Sequence, residues 1–242
     1  FIKKNLVKFN PEVLIHLAWS GIPNYSDHLS SINLHNSINL FREIISNTNC
    51  KKILVSGSCW EYGKKFGSCN ESDSEIVDSY FNWAKNSLLK YLSFVCNEKN
   101  IDYHWFRIFF VFGLGQKESA LIPTLINSIK QKNVPFINFP QNKNDFVFVD
   151  DVINIFYKSI ENNLQSGIYN IGSGISSSVL DISKIVEKKI LGTDSISSIV
   201  EKNGSDIEKV NFWSNMEKTS FNLNLSPPIK IEVGINQIIN NL

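Results

Sequence analysis

Cysteine is scarce and scattered: Cys50, Cys59, Cys69 and Cys96 are the only four in 242 residues, with no close pair and no histidine cluster beside them. That spacing builds neither a zinc site nor a disulfide framework, so no metal is expected, and it fits a reducing, cytoplasmic setting. An excess of one charge is also lacking. Against 24 Lys and Arg stand 23 Asp and Glu, a formal net charge of +1. The clustered basic surface that a nucleic-acid partner requires is therefore not expected. No apolar run reaches the length of about 18 residues that a membrane-spanning helix needs, so no membrane partner is expected either. Lys3, Lys4 and Lys8 lead into no uninterrupted apolar segment of the signal-peptide kind.

What the chain does have is an alternation of short apolar runs with amphipathic stretches. The run Val13 to Ala18 reads as a central parallel strand, buried on both faces. Between 29 and 46 the apolar residues recur at helical spacing and lead into a second strand at Ile53, Leu54 and Val55. Strand, helix and strand in that order make a parallel unit with a right-handed crossover. From 76 to 96, Val77, Phe81, Ala84, Leu88, Leu92 and Val95 predict a helix of about five turns. An aromatic-rich strand ends at Phe112, and the single Arg107 inside it is expected to be paired or to lie near the strand's end. Further strands are expected near 145–149 and 167–171.

This pattern predicts an α/β fold: an incomplete Rossmann-like parallel sheet with flanking helices, plus a smaller C-terminal substrate-binding lobe. Residues 1–115 are expected to form the partial Rossmann-like domain, with the strand near 145–149 returning to it, and 116–242 mainly the lobe. A cleft between the two is the natural pocket. The carboxyl end of a strand is where open α/β sheets place chemistry. Ser58, just past the second strand, is the first candidate for a reacting group.

The ordered segments His16-Leu17-Ala18, Asn33, Ser56-Gly57-Ser58-Cys59-Trp60-Glu61-Tyr62-Gly63, Phe81-Asn82-Trp83-Ala84-Lys85 and Arg107 to Gly113 resemble the extended short-chain dehydrogenase/reductase family. Within it the likeness is to the NAD-dependent epimerase/dehydratase group that acts on nucleotide-linked sugars. Asn144 to Asp151 and Gly167 to Gly174 resemble later segments of the same group. The resemblance implies a catalytic set in which Ser58 is the hydroxyl, Lys85 the lysine and Asn33 the support for a proton-relay water. It implies NAD or NADP beside His16, Leu17, Ala18, Ser56, Lys85, Phe109 and Val111. It implies a nucleotide sugar against Cys59, Trp60, Glu61 and Asn144, and a homodimer through helices 29–46 and 76–96.

Two departures accompany the likeness. Phe81 stands four residues before Lys85, where the family places its catalytic tyrosine, and phenylalanine has no hydroxyl to move a proton. Tyr80 is adjacent, but one residue along a helix turns a side chain by about 100 degrees, so it is expected to face away from Lys85. No glycine-rich turn precedes Val13, so the unit that would cradle the dinucleotide pyrophosphate is expected to come from an upstream or partner segment, leaving an unpaired sheet edge here. Two functions follow from the resemblance. One is an NAD(P)-dependent epimerase, dehydratase or reductase of a nucleotide sugar. The other is a truncated, catalytically inactive relative acting as a binding or interaction protein or a fragment.

Overall fold

Short apolar segments pair in parallel and set the frame of the molecule, a computed structural model describing residues 2–207 and 209–241. The chain runs through α1 (Ile2–Phe9), β1 (Val13–His16), α2 (Asp27–Asn47), β2 (Lys52–Ser56), a 3-10 turn (Cys59–Tyr62), β3 (Phe66–Cys69) and α3 (Tyr80–Lys99). It continues through β4 (Asp102–Ile108), β5 (Phe110–Phe112), α4 (Leu121–Lys130), β6 (Lys143–Phe148), α5 (Val149–Glu161) and β7 (Gly167–Ile171). The remaining elements are β8 (Ser176–Ser178), α6 (Val179–Leu191), α7 (Ser195–Asn203), β9 (Asn211–Ser214), α8 (Glu217–Leu223) and α9 (Ile231–Asn240). No helix among the described residues is long and apolar enough to cross a membrane.

The first sheet has the order β1-β2-β4-β7, all parallel. Ile53 and Val55 of β2 and Trp105 of β4 meet Phe41 and Ile44 of α2 and Leu88 and Leu92 of α3 on one face. On the other face Leu54 and Phe106 meet Val152, Ile155 and Phe156 of α5. Burial on both faces is why Ile53 to Val55 of β2 read as an unbroken apolar run, whereas β1, expected to be central and buried on both faces, is the end strand of this sheet among the described residues. Among the described residues β1 pairs with β2 alone, and its outer edge carries the exposed Ile15, with Leu17 just beyond.

The second sheet has the order β3-β9-β6-β5, with β8 antiparallel along β6. Behind it, Phe112, Phe146 and Phe148 pack with Leu125 and Ile126 of α4, Ile182 and Val186 of α6 and Ile235 of α9. The strand near 145–149 does not return to the first sheet, as the sequence led us to expect. Strand β6 pairs with β5 and β9, and β7 is the strand that returns. Asp145 of β6 ties the two sheets together: its carboxylate accepts hydrogen bonds from the main-chain N–H groups of Ser173 (2.6 Å) and Gly174 (3.0 Å), in the loop after β7, and of Ser214 (3.0 Å) on β9. A Cβ on Gly172 would sit 2.4 Å from that carboxylate, so only glycine lets the loop approach it.

Strands β4 and β5 are separated by Phe109 alone, whose N–H bonds Ile171 O at 2.8 Å. There the chain crosses from the first sheet to the second, and the opening between the sheets begins. Helix α3 starts later than its periodicity suggested. Ser79, in extended conformation (φ −150°, ψ 159°), accepts from Asn82 N and caps it, which leaves Val77 exposed in the preceding loop.

Candidate active site

A cavity of about 600 Å³ opens at the carboxyl ends of β2 and β4 and reaches across to β5, β6 and α4. Ser56, Ser58, Cys59, Trp60, Phe81 and Lys85 line its first-sheet side. Phe109, Val111 and Asn144 lie on the side of the second sheet. Among the residues lining it, Lys85 is the sole cation and none is acidic.

Ser58 is held from both ends. Its Oγ accepts from Trp60 N at 3.2 Å, while its own N–H donates to Glu61 Oε1 at 2.8 Å. A serine at the N-cap with an acid three residues on is a capping box, and here it starts the 3-10 turn. Gly57 makes the arrangement possible: a Cβ there would lie 2.3 Å from Trp105 Nε1 and 2.9 Å from the carbonyl oxygen of Phe106.

Glu61 does not touch the cavity, contrary to the sequence expectation that it lines the sugar. It is fully buried, accepting from Trp105 Nε1 at 2.9 Å and pairing with Arg107 Nε at 3.0 Å. Burial raises its carboxyl, against the pull of Arg107. Arg107 is thus paired, as its apolar surroundings required, and its guanidinium also lies 4.5 Å from the ring centre of Tyr62.

Lys85 Nζ donates to Ser56 O at 2.8 Å and lies 4.0 Å from the ring centre of Trp19. Burial lowers its pKa to about 8, with Glu61 pulling the other way. Phe81 sits beside it in the cavity wall, its ring 5.6 Å from Trp19 and 4.8 Å from Tyr25. Tyr80 is exposed and opens onto a separate shallow groove with Asp78 and Trp83, as the helical rotation required.

Asn33 does not reach the cavity. Its amide hydrogens go to Ser20 O (3.0 Å) and Leu29 O (2.8 Å), and its oxygen accepts from Ser20 N and Oγ. With its donors and lone pairs taken, it fastens the loop after β1 and offers nothing to a relay water. His16 is buried, with Nε2 3.2 Å from Ser37 Oγ; burial and the charge of Lys85 lower its pKa to about 4. Leu17 lines the cavity, whereas Ala18 is exposed outside it. Cys59 is buried and its thiol pKa is pushed well up, so it is a wall residue and no nucleophile.

Phe110, between the expected Phe109 and Val111, lines the cavity too, and so do Trp19, Tyr25 and Gln116, which sequence reasoning missed. Gln116 donates from Nε2 to Val111 O at 3.1 Å, which leaves Oε1 buried without a protein partner. Among the described residues no group of three or more His, Cys, Asp or Glu gathers to hold a metal ion.

The residues fit one half of a dinucleotide. At the cavity floor Ser58 and Lys85 present a hydroxyl and an ammonium next to apolar walls, suited to a ribose and a flat ring. The helix preceding β1 is α1, and no glycine occurs before Gly21. The described residues therefore build no main-chain cradle for the pyrophosphate.

The family model for the "NAD dependent epimerase/dehydratase family" matches residues 2–172. Among curated proteins, the dTDP-4-dehydro-6-deoxyglucose reductase of Escherichia coli is 27% identical over 192 residues, 76% of this chain and 60% of the relative. The chain thus spans about three fifths of that reductase. The ADP-L-glycero-D-manno-heptose-6-epimerase of Fusobacterium nucleatum is 51% identical over 39 residues, 16% of this chain and 12% of the relative. Among solved structures, the UDP-glucose 4-epimerase of Thermotoga maritima with UDP-glucose superposes with a TM-score of 0.81 at 20% identity, covering 98% of this chain and 80% of that one. The UDP-glucuronic acid 4-epimerase of Bacillus cereus with NAD gives 0.81 at 22% identity, covering 100% and 78%. At these identities the two structures establish the fold.

Proposed function

This chain belongs to the NAD dependent epimerase/dehydratase family, and on that footing we propose that it binds a nucleotide-linked sugar in the cavity and serves hydride transfer with NAD or NADP. The observation that carries the reading is the meeting of Ser58 and Lys85 in one aromatic-walled cavity at the strand ends. NAD or NADP, when bound, would supply the hydride acceptor or donor. Lys85 would hold the ribose hydroxyls, with Leu17, Phe109 and Val111 beside the nicotinamide. The Ser58 hydroxyl, accepting from Trp60 N, keeps its hydrogen to donate to a sugar oxygen and orient it. Asn144, Trp60 and Cys59 form the wall on the sugar side. The described residues themselves supply no main-chain cradle for the pyrophosphate. A second copy packs across α2 and α3, a surface that exposes Ile32, Trp83 and Phe94.

Phe81 favours a second reading, in which the ligand is held without turnover. The two are separated by one set of measurements. Titration with NAD, NADH and UDP-glucose is read by fluorescence of Trp19 and Trp60, which both line the cavity, and NADH consumption or formation is followed at saturation. Binding with turnover supports the first reading and binding without it the second. No binding at millimolar ligand overturns both.

A further inference from the structure

Lys85 is the sole cation among the residues lining the cavity, yet only 3% of it is exposed. Its Nζ donates to Ser56 O at 2.8 Å and is ringed by three aromatic side chains. The centre of Trp19 lies 4.0 Å away, and those of Phe81 and Trp105 lie at 5.9 Å. Trp105 and Phe81 are buried, whereas Trp19 is half-buried and lines the cavity. Trp19 is thus the ring on the open side of the ammonium, and it stands nearest. An indole face is the strongest of the aromatic partners for a cation, and more so where water is excluded. A ligand hydroxyl approaching Nζ from that side has to take the place of the ring.

The main chain beyond Trp19 is pinned. Ser20 N–H donates to Asn33 Oδ1 at 2.9 Å, and Ser20 O accepts from Asn33 Nδ2 at 3.0 Å. Gly21, at φ +87°, turns the chain next, and a Cβ there would lie 2.6 Å from Leu29 Cδ1. Opening the whole loop would break these bonds. Rotating the Trp19 side chain breaks none of them, and among the described residues its indole N–H makes no hydrogen bond. What holds the ring is the ammonium, the edge-to-face contact with Phe81 at 5.6 Å and the margin of the core behind β2. A side chain so held moves between rotamers while its backbone stays in place.

We propose that Trp19 is a gate on Lys85: in the free chain its indole caps the ammonium, and the ribose hydroxyls of a nicotinamide dinucleotide reach Nζ when the ring swings aside. The gate rests on the nucleotide reading above. A chain whose binding-competent form is a minority binds with its affinity reduced by that fraction, so the cap holds cofactor affinity down.

The first measurement needs no ligand. Reductive methylation of the full chain with formaldehyde and cyanoborohydride is followed lysine by lysine by peptide mass spectrometry, with the exposed Lys130 as internal reference. Trp19→Leu keeps an apolar contact for Phe81 but has no π face. It is expected to raise the Lys85 rate about 10-fold while leaving Lys130 unchanged. Trp19→Phe, a smaller change with a weaker π face, is expected to fall between the two. The second measurement is titration with NADH, which Trp19→Leu is expected to bind about 10-fold tighter than the parent. A Lys85 rate that neither variant raises overturns the gate. So does weaker NADH binding by Trp19→Leu, which would make the indole a ligand contact. Both results leave the functional reading standing. If neither the parent nor the variants bind NADH, the functional reading falls and the gate's role toward the cofactor falls with it, even where methylation shows the cap.

Discussion

The carboxylate of Glu61 joins the main-chain N–H of Ser58 at 2.8 Å and the guanidinium of Arg107 at 3.0 Å. One buried acid thus holds Ser58 in place and neutralises the arginine of β4. Removing one member of a buried ion pair leaves the other charge uncompensated, at a cost of about 3–5 kcal/mol. Glu61→Ala is expected to lose that much stability in urea denaturation. Glu61→Gln, which keeps an acceptor for Ser58 N, is expected to lose less. Equal stability of Glu61→Ala and the parent would show that the pair carries no such weight.

Phe81→Tyr adds a hydroxyl in the wall beside Lys85. If the chain is competent for hydride transfer, turnover with NADH and a keto-sugar nucleotide is expected to rise by about 10²-fold or more, the scale of one positioned acid–base group. The measurement is NADH absorbance under saturating ligand. An unchanged rate in a variant that still binds cofactor would show that the ring at 81 does not face the reacting oxygen.

Lys85 is buried with a pKa of about 8, below its ordinary 10.5. A lowered lysine pKa means that the folded state carries a charged-amine cost below about pH 8. The cost fades as pH rises toward 10.5, so this group makes stability increase through that window. Lys85→Met removes the cost but leaves Ser56 O without its donor. The net expectation is a variant more stable than the parent at pH 7 by about 2 kcal/mol, with the difference closing by pH 10. Thermal melts across pH 6–10 read it, and a less stable Lys85→Met at pH 7 would refute the sign. Lysine-dependent cofactor binding is expected to weaken over the same rise through about pH 8.

Glu187 on α6 is a second buried acid with a different balance. Burial alone would raise its pKa, but the N–H groups of Ile196 and Ser197 and the hydroxyls of Ser197 and Thr193 outweigh it and bring the carboxyl to about 2. A depressed carboxyl pKa gives stability that is present above the ordinary value of 4.5 and is lost as pH falls toward 2. The contribution is on the order of 3 kcal/mol. Glu187→Gln is expected to lower the melting temperature at pH 7, with the gap narrowing as pH falls from 4.5 toward 2, because only the parent has this carboxylate to protonate. A gap that does not narrow between pH 4.5 and pH 2.5 would refute the assignment.

What the sequence revealed and what it hid divide along physical lines. Helix α2 and strands β1, β2 and β4 follow from periodicity, because one-sided or two-sided burial leaves its mark on consecutive residues. The sheet that β6 joins is set by its pairing with β5 and β9, strands far from it in the chain, and no local pattern records that. Glu61 was read as a sugar contact because it follows Ser58 in the chain. Its partners Trp105 and Arg107 lie 44 and 46 residues on. The family resemblance singles out Ser58, Lys85 and Phe81, which meet around one cavity, but it carries no sign that Asn33 is used up by Ser20. Gln116 has no local pattern that would place it on the cavity wall. The one available signal was that it follows Gly115, in the loop leaving β5.

The outer edge of β1 has a thermodynamic consequence. Leu17, just past that strand, is also part of the cavity wall, so a strand added along the edge would finish both the sheet and the rim of the ligand site. Two events that share a surface are linked, and the linkage is reciprocal: whatever pairs with β1 changes ligand affinity by the same factor by which the ligand changes that pairing. Were such a strand to pair there, ligand affinity would depend on the state of that edge as well as on the residues in the cavity.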